Sequence, residues 1–365
     1  MTVWTFVALV IGLIALVLGA ELLVKGAASV ATRLGIPPVI VGLTVVAFGT
    51  SAPEFAVSIG AATSGKADVA FGNVVGSNIG NILLILGAAA IVGALTVSQR
   101  IVRLDIPLLI GVSIVVMAIS LDNEIGRVDG AVLFAGIIGY TLWLVRAARS
   151  ERSEVVEEYQ DSIDELEGST VERPLAAQIA LIVAGLVVLV AGSQLLVTSA
   201  TDVAGALGIS DLVIGLTVVA IGTSLPELAT SLLAALRGQR DIAVGNVVGS
   251  NLFNLLGVLG ASALLAPDGI AVSDASIRLD LVVMLAATLV LLPIVWSGFR
   301  IERWEGAVLV AFYVAFVTYL VLDANDHDAT SVLGPAMLFA IPLAGLGFGV
   351  AGWQGWRRHR NSSQV

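Results

Sequence analysis

Long apolar runs recur along the whole chain and restrict its fold more than any other feature of the sequence. Most exceed ~18 residues, the length at which one helix can cross ~30 Å of hydrocarbon. Hydrophobic residues make up 58% of the 365 residues and charged residues 13%, whereas soluble domains carry about a quarter charged residues. The first run, 3–24, lacks the basic flank and small-residue cleavage site of a signal peptide, which predicts a retained span. The sequence therefore predicts an all-α polytopic membrane protein.

The composition also excludes several classes of function. The chain has no cysteine and two histidines, and His327 and His359 both lie in polar segments outside the apolar runs. Thiolate sites and the usual zinc or copper sites are therefore not expected within the membrane. An intramembrane hydrolase, which needs a basic partner or paired aspartates, is disfavoured for the same reason. A net charge of −10 argues against a nucleic-acid partner, so hard, oxygen-preferring cations are the expected ligands, with no cofactor and no enzymatic activity.

Eleven segments are predicted to span the membrane, and we number them spans 1–11 in chain order. They cover residues 3–32, 38–64, 69–92, 105–121, 129–147, 175–204, 211–235, 242–265, 279–297, 305–322 and 331–353. With this topology, fifteen of the 18 lysine and arginine residues fall on one side. The positive-inside rule makes that side cytoplasmic. We therefore expect an extracellular amino terminus, a cytoplasmic carboxyl terminus and a location in the cell membrane.

The longest hydrophilic stretch divides the chain into two halves. Residues 149–173 contain nine acidic residues and are predicted to form a solvated cytoplasmic linker, although regulatory calcium binding is an alternative. The predicted units are a first five-span half at 1–148, this acidic linker, a second five-span half at 174–322, and an extra C-terminal helix with a basic tail at 323–365.

The two halves contain an internal repeat. Residues 42–54 return almost unchanged at 215–227, and 72–78 return identically at 245–251, both with an offset of 173. Five spans is an odd number, so the second copy must enter the membrane from the opposite side. Duplication alone shows ancestry and not transport. However, the identity is concentrated at polar and helix-breaking positions within the membrane, which favours an inverted-repeat secondary transporter with a site near the midplane.

One glutamate in each half lies deep within a predicted span. Glu54 is about 16 residues into span 2, roughly 24 Å along it, and Glu227 occupies the same position in span 7. A carboxylate at that depth needs a compensating charge. No lysine or arginine lies at matching depth, so a bound cation is the expected partner.

The residues before each glutamate predict how a cation is held. Pro53 and Pro226 should break spans 2 and 7 into half-helices, because proline donates no backbone hydrogen bond and clashes with the preceding turn. We expect this to leave the carbonyls at 47–49 and 220–222 without donors and able to coordinate cations. Hard hydroxyl ligands would come from Thr50, Ser51, Thr223 and Ser224. As an alternative, each Ser-x-x-Glu sequence fits a capping box, in which the glutamate only caps its half-helix.

Spans 3 and 8 supply a second polar row with a spacing of four residues, on one helix face. Its members are Asn73, Ser77, Asn81, Asn246, Ser250 and Asn254. Amide and hydroxyl oxygens suit sodium or calcium, and helix–helix packing is the alternative. We favour ligation for Ser77, Ser250, Asn81 and Asn254. For Asn73 and Asn246 both interpretations remain open.

These motifs resemble the α-repeats of sodium/calcium exchangers, in the cation/calcium exchanger superfamily. The resemblance rests on Gly-Thr-Ser-x-Pro-Glu at 49–54 and 222–227, each followed by Gly-Asn-Val-Val-Gly-Ser-Asn, within repeat motifs at 42–87 and 215–260. It implies ten core spans, with spans 2 and 7 broken, that exchange Na⁺ for Ca²⁺ by alternating access. Proton/calcium exchangers typically carry Gly-Asn-x-x-Glu instead, so the sodium-coupled branch is favoured over an H⁺/Ca²⁺ antiporter or another divalent cation exchanger.

The resemblance also implies a set of ligands. The calcium ligands would be the carboxylates of Glu54 and Glu227 and the carbonyls of Thr50 and Thr223. The sodium sites would add the Ala47 and Ala220 carbonyls and the hydroxyls of Ser51, Ser77, Ser224 and Ser250. An aspartate at the position of Asn254 is associated with potassium co-transport, so amides at Asn81 and Asn254 imply potassium independence. Three Na⁺ per Ca²⁺ would make the exchange electrogenic.

Overall fold

The computed structural model describes residues 3–166, 174–206, 220–296 and 298–323. Predicted span 11, the basic tail and residues 211–219 of span 7 lie outside these ranges. Eight described helices are long and apolar enough to cross a membrane. They are Val3–Leu34, Ala67–Val92, Ile101–Ile119, Arg127–Leu166, Leu175–Ala206, Arg240–Leu265, Ser276–Trp296 and Arg303–Asp323. They correspond to predicted spans 1, 3–6 and 8–10, and the predicted all-α membrane fold is confirmed.

Spans 2 and 7 are broken helices, as the prolines predict. Span 2 consists of Pro38–Thr50 and Ala52–Thr63, which meet at an angle of 46°. The described part of span 7 consists of Ala220–Thr223 and Leu225–Leu236. Both breaks fall on the serine two residues before the proline, because the ring at the second position of the new helix prevents the preceding helix from continuing.

The helix of span 5 is longer than predicted. It runs over 40 residues to Leu166 and includes most of the acidic segment expected to be a linker. A helix of that length measures ~60 Å, about twice the thickness of the hydrocarbon, so its C-terminal part extends beyond the lipid. Glutamate and arginine are good helix formers, which is why the helix continues after the apolar sequence ends.

Two short antiparallel strand pairs connect the halves and reveal their relative orientation. Strand β1 (Leu95–Thr96), after span 3, pairs with β4 (Arg300–Ile301), before span 10. Strand β2 (Glu124–Ile125), after span 4, pairs with β3 (Ile270–Ala271), after span 8. Span 4 alone separates β1 from β2, so the two pairs lie on opposite sides of the membrane. The loops after spans 3 and 8, which are equivalent in the repeat, therefore face opposite sides, as an inverted repeat requires.

Spans 3 and 8 form the centre of the bundle. In an apolar stretch of 18 residues from each of these two spans, 78% and 94% of the residues are buried. The corresponding shares in spans 1 and 6 are 33% and 28%. Segments with π-helical hydrogen bonding interrupt both central spans, at Asn81–Leu86 and Phe253–Val258. Such segments often occur at functional sites, and here each contains one of the predicted amide ligands, Asn81 or Asn254.

Spans 1 and 6 pack against each other at the periphery with unusually close backbones. A Cβ atom on Gly19 would lie 2.6 Å from the Leu189 nitrogen and 2.9 Å from the Gly185 oxygen. Only glycine allows this approach, a device common between membrane helices. The two spans therefore form a close antiparallel pair.

Candidate cation site

The two intramembrane glutamates meet in the centre of the bundle, and each is bonded to the opposite half. Both side chains are fully buried. The Ser51 hydroxyl donates to Glu227 Oε1 at 3.0 Å, and the Ser224 hydroxyl donates to Glu54 Oε1 at 2.9 Å. Neither serine caps its own half-helix through its side chain. The capping-box alternative is therefore not what the structure supports, and the serines instead link the two halves at the carboxylates.

Each glutamate keeps one carboxylate oxygen without a donor. Glu54 Oε2 and Glu227 Oε2 are buried and have no hydrogen-bond partner among the described residues. Within that part of the chain, neither forms an ion pair with lysine or arginine. An uncompensated buried carboxylate is costly, so this pair of oxygens has the chemistry of a cation site.

The Thr50 and Thr223 side chains are held by amides from the opposite half. The Thr50 hydroxyl donates to Asn246 Oδ1 at 3.1 Å, and the Thr223 hydroxyl lies 3.4 Å from Asn73 Oδ1. The same threonines carry the carbonyls expected to bind calcium. Asn73 and Asn246 thus contact the polypeptide at the breaks in spans 7 and 2, and their amides are occupied in hydrogen bonds.

The other predicted side-chain ligands also lie in this buried centre. Ser77 Oγ is 3.3 Å from Ser224 Oγ, and Asn81 donates to Asn251 Oδ1 at 2.9 Å. The Asn81 side-chain oxygen Oδ1, the Ser250 hydroxyl and both polar atoms of the Asn254 side-chain amide have no partner among the described residues. All of these side chains are at most 7% exposed, so the structure brings together the polar groups that the two motifs supply.

The expectation that the carbonyls before each glutamate lack donors was wrong for Ala47, Gly49 and Gly222. The Ala47 carbonyl accepts the Ser51 backbone N–H at 3.0 Å, and the Gly49 carbonyl also accepts a backbone N–H at the helix end. The Gly222 carbonyl accepts the Ser193 hydroxyl at 2.8 Å. One proline removes only one donor, so the neighbouring helical bonds survive. A carbonyl oxygen has a second lone pair, so ligation by Ala47 stays a prediction. Ligation by the Ala220 carbonyl likewise stays a prediction.

Several buried polar residues of this region were missed by the sequence reasoning. Ser58 and Ser231 accept hydrogen bonds from Asn73 and Asn246, both at 2.9 Å, and Asn251 accepts from Asn81. A signal was available, because Ser58 and Ser231 share the repeat offset of 173 and each follows its glutamate by four residues. Four-residue spacing places them on the same helix face as the glutamates.

Comparison with known proteins agrees with this architecture. The family model described as sodium/calcium exchanger protein matches residues 4–146 and 177–322, one match in each half. The sodium/calcium exchanger MaX1 of Methanosarcina acetivorans is 33% identical over 344 residues, covering 86% of this chain and 98% of that protein. The inner membrane protein YrbG of Escherichia coli is 38% identical over 315 residues, covering 86% and 95%.

A solved structure of the sodium-calcium exchanger NCX_Mj, soaked with 2.5 mM Na⁺ and 0.1 mM Ca²⁺, has the same fold. It superposes with a TM-score of 0.74 at 30% identity, over 87% of this chain and 99% of that one. The matches span both halves and nearly the full length of each relative. The chain therefore belongs to the sodium/calcium exchanger protein family and is an integral membrane cation/calcium antiporter.

Proposed function

We propose that this antiporter exchanges Na⁺ for Ca²⁺ at one site shared between its two halves, by alternating access. The observation that carries the proposal is the pair of buried glutamates, each bonded to a serine of the opposite half and each with one unpaired oxygen. Two carboxylates balance the charge of one Ca²⁺. A site that holds either Ca²⁺ or Na⁺, but not both loads together, couples the two fluxes.

The proposed calcium ligands are the carboxylates of Glu54 and Glu227 and the carbonyls of Thr50 and Thr223. Calcium takes six to eight oxygens at about 2.3–2.6 Å, so water or further side chains would complete the shell. The proposed sodium ligands add neutral oxygens on the same helices. They are the hydroxyls of Ser51, Ser77, Ser224 and Ser250, the carbonyls of Ala47 and Ala220, and the amides of Asn81 and Asn254.

The charges of these residues suggest the energetics of the cycle. We propose a ratio of three Na⁺ to one Ca²⁺, so that each cycle moves one net charge across the membrane. The membrane potential then changes the free energy of exchange by ~2.3 kcal/mol per 100 mV. Asn254 is a neutral amide in the position where an aspartate is associated with potassium co-transport. We therefore propose that transport is independent of potassium.

We also propose a location and orientation for the chain. It would lie in the cell membrane, with the amino terminus outside and with the 149–173 segment and carboxyl terminus in the cytoplasm. Support comes from the strong excess of basic residues on one side. Arg300, in β4, and Arg100 flank the strand pair on that side, whereas Arg127 follows β2 on the other.

Radiolabelled calcium uptake into proteoliposomes tests the proposal. Vesicles loaded with Na⁺ and diluted into choline should accumulate Ca²⁺ while pH is clamped on both sides, with or without K⁺. Uptake driven by a pH gradient alone, with no response to Na⁺, would assign the chain to H⁺/Ca²⁺ exchange instead. The saturable response should disappear when the Na⁺ gradient is dissipated, which separates exchange from a channel.

A further inference from the structure

A chain of hydrogen bonds extends from the break in span 2 to the second half-helix of span 7. The Thr50 hydroxyl donates to Asn246 Oδ1 at 3.1 Å, and Asn246 Nδ2 donates to Ser231 Oγ at 2.9 Å. Ser231 Oγ in turn lies 3.5 Å from the Ala243 carbonyl. The Thr50, Asn246 and Ser231 side chains are fully buried. Asn246 is therefore fixed at both ends of its amide, one end in each half of the protein.

The inverted repeat contains the same chain a second time. The Thr223 hydroxyl lies 3.4 Å from Asn73 Oδ1, Asn73 Nδ2 donates to Ser58 Oγ at 2.9 Å, and Ser58 Oγ lies 3.4 Å from the Ala70 carbonyl. Asn73 Nδ2 also contacts the backbone carbonyl of Glu54 at 3.2 Å. Every group of one copy is related to its counterpart in the other by the repeat offset of 173, so both halves contain the same arrangement.

The Thr50 hydroxyl has one proton but several acceptors nearby. Besides Asn246 Oδ1, the Val46 carbonyl lies at 3.1 Å and the Ala47 carbonyl at 3.4 Å. A hydroxyl that donates to a carbonyl of its own helix occupies a lone pair of that oxygen. Donation to the amide instead holds the threonine rotamer, and with it the backbone at the break. The Ala47 oxygen then remains available to a cation.

We propose that Ser58 and Ser231 are positioning residues for the cation site. Each fixes the amide of its asparagine, which holds the threonine at the break in the opposite half and so sets the carbonyls that face the ion. The inference rests on the proposed calcium ligation by Thr50 and Thr223. It adds two residues that do not touch the ion but determine how rigid its oxygen cage is. Cage rigidity governs discrimination between cations of different size.

Direct binding to the detergent-solubilised full chain tests this inference. Calcium and strontium dissociation constants are measured by equilibrium binding without any ion gradient, for Ser58→Ala and Ser231→Ala. We expect each to weaken calcium binding by about tenfold, the size of one lost buried hydrogen bond, and to reduce the preference for calcium over strontium. Ser58→Thr and Ser231→Thr keep the hydroxyl, so the calcium and strontium dissociation constants should stay within about twofold of the wild-type values. Ser231→Cys, which keeps the volume but accepts weakly, should behave like alanine.

Ser113→Ala is the matched control. Its hydroxyl is equally buried but donates to Leu109 of its own helix at 2.8 Å, in span 4. A purely structural role for Ser58 and Ser231 would lower thermal stability and leave the ratio of the two dissociation constants unchanged, and that outcome would overturn the inference. Wild-type calcium binding without sodium-driven uptake would count against the proposed function alone, since the binding assay needs no sodium.

Discussion

The Ser224 hydroxyl, in the second half of the chain, donates a 2.9 Å hydrogen bond to the carboxylate of Glu54 in the first half. Ser51 and Glu227 form the reciprocal bond at 3.0 Å. Each carboxylate is therefore bonded by a serine of the opposite repeat, and neither half holds a complete set of groups. A change in how the halves pack would alter both carboxylates at once, which is the coupling that an alternating-access mechanism requires.

Neutralising either glutamate should abolish calcium transport. Glu54→Gln and Glu227→Gln each remove one of the two negative charges that balance Ca²⁺, while keeping the volume of the side chain. We expect sodium-driven calcium uptake in proteoliposomes to fall to the level of empty vesicles. Insertion and monodispersity should be retained, because the glutamine amide can still accept from Ser224 or Ser51.

Glu305→Gln is the control for this prediction. Glu305 is also buried, but its Oε2 accepts the Glu302 backbone N–H at the start of span 10. Its uptake should equal that of the wild type. Wild-type calcium flux in either of the other two variants would contradict the assignment of the glutamates.

Removing the Ser224 hydroxyl should affect sodium more than calcium. Ser224→Ala deletes the donor to Glu54 and a group 3.3 Å from Ser77 Oγ. We propose both hydroxyls as sodium ligands, whereas calcium relies on charged and carbonyl oxygens. The Na⁺ concentration for half-maximal exchange should rise about tenfold, the effect of one lost hydrogen bond to a charged group. The calcium KM should change less.

Ser120→Ala serves for comparison, because the Ser120 hydroxyl is also buried but donates to the Val116 carbonyl of its own helix, at 2.8 Å. It should leave both sodium and calcium dependence unchanged. Equal shifts of the two dependences in Ser224→Ala would argue against a sodium-specific role.

The sequence predicted the parts of the site that depend on local chemistry. Pro53 and Pro226 located the helix breaks, and the depth of Glu54 and Glu227 within apolar runs identified the carboxylates. The constant offset of 173 between the repeated motifs also predicted the inverted repeat, because five spans in each half reverse the direction of the second copy. These features can be read along the chain without knowing how the spans pack against each other.

The partners of these groups could not be predicted in the same way. Ser51 is three residues from Glu54, and the local pattern allowed a capping box as an alternative to cation ligation. Its hydroxyl instead bonds to Glu227, 176 residues away. Which serine meets which glutamate depends on how spans 2 and 7 cross. The roles of Asn73 and Asn246 stayed undecided for the same reason, since their partners lie on other spans.

Membrane potential should change the rate of exchange. If three Na⁺ leave a vesicle for each Ca²⁺ that enters, one net positive charge moves outward. An inside-positive potential clamped with valinomycin and K⁺ should therefore accelerate uptake, and an inside-negative potential should slow it. A potential of 100 mV is worth ~2.3 kcal/mol per charge. Uptake that is identical at both potentials would indicate electroneutral exchange.

The glycine contact between spans 1 and 6 makes a separate prediction about stability. A Cβ atom on Gly19 would lie 2.6 Å from the Leu189 nitrogen and 2.9 Å from the Gly185 oxygen. These are backbone atoms that cannot rotate away, so Gly19→Ala must push the two helices apart. Overpacking of this kind costs typically ~1–3 kcal/mol. We expect a lower Tm in detergent, measured by the loss of the monodisperse peak after heating.

Gly111→Ala separates this clash from the general effect of replacing glycine. Gly111 lies in span 4, where a Cβ atom would have no neighbour within 4 Å among the described residues, so the added methyl group fits without a clash. Alanine is favoured over glycine in a helix by roughly 0.5–1 kcal/mol, and this variant should match or exceed the wild-type Tm. Because the same propensity gain applies at Gly19, any decrease there measures the helix contact itself. An unchanged Tm in Gly19→Ala would mean that spans 1 and 6 are not packed backbone to backbone.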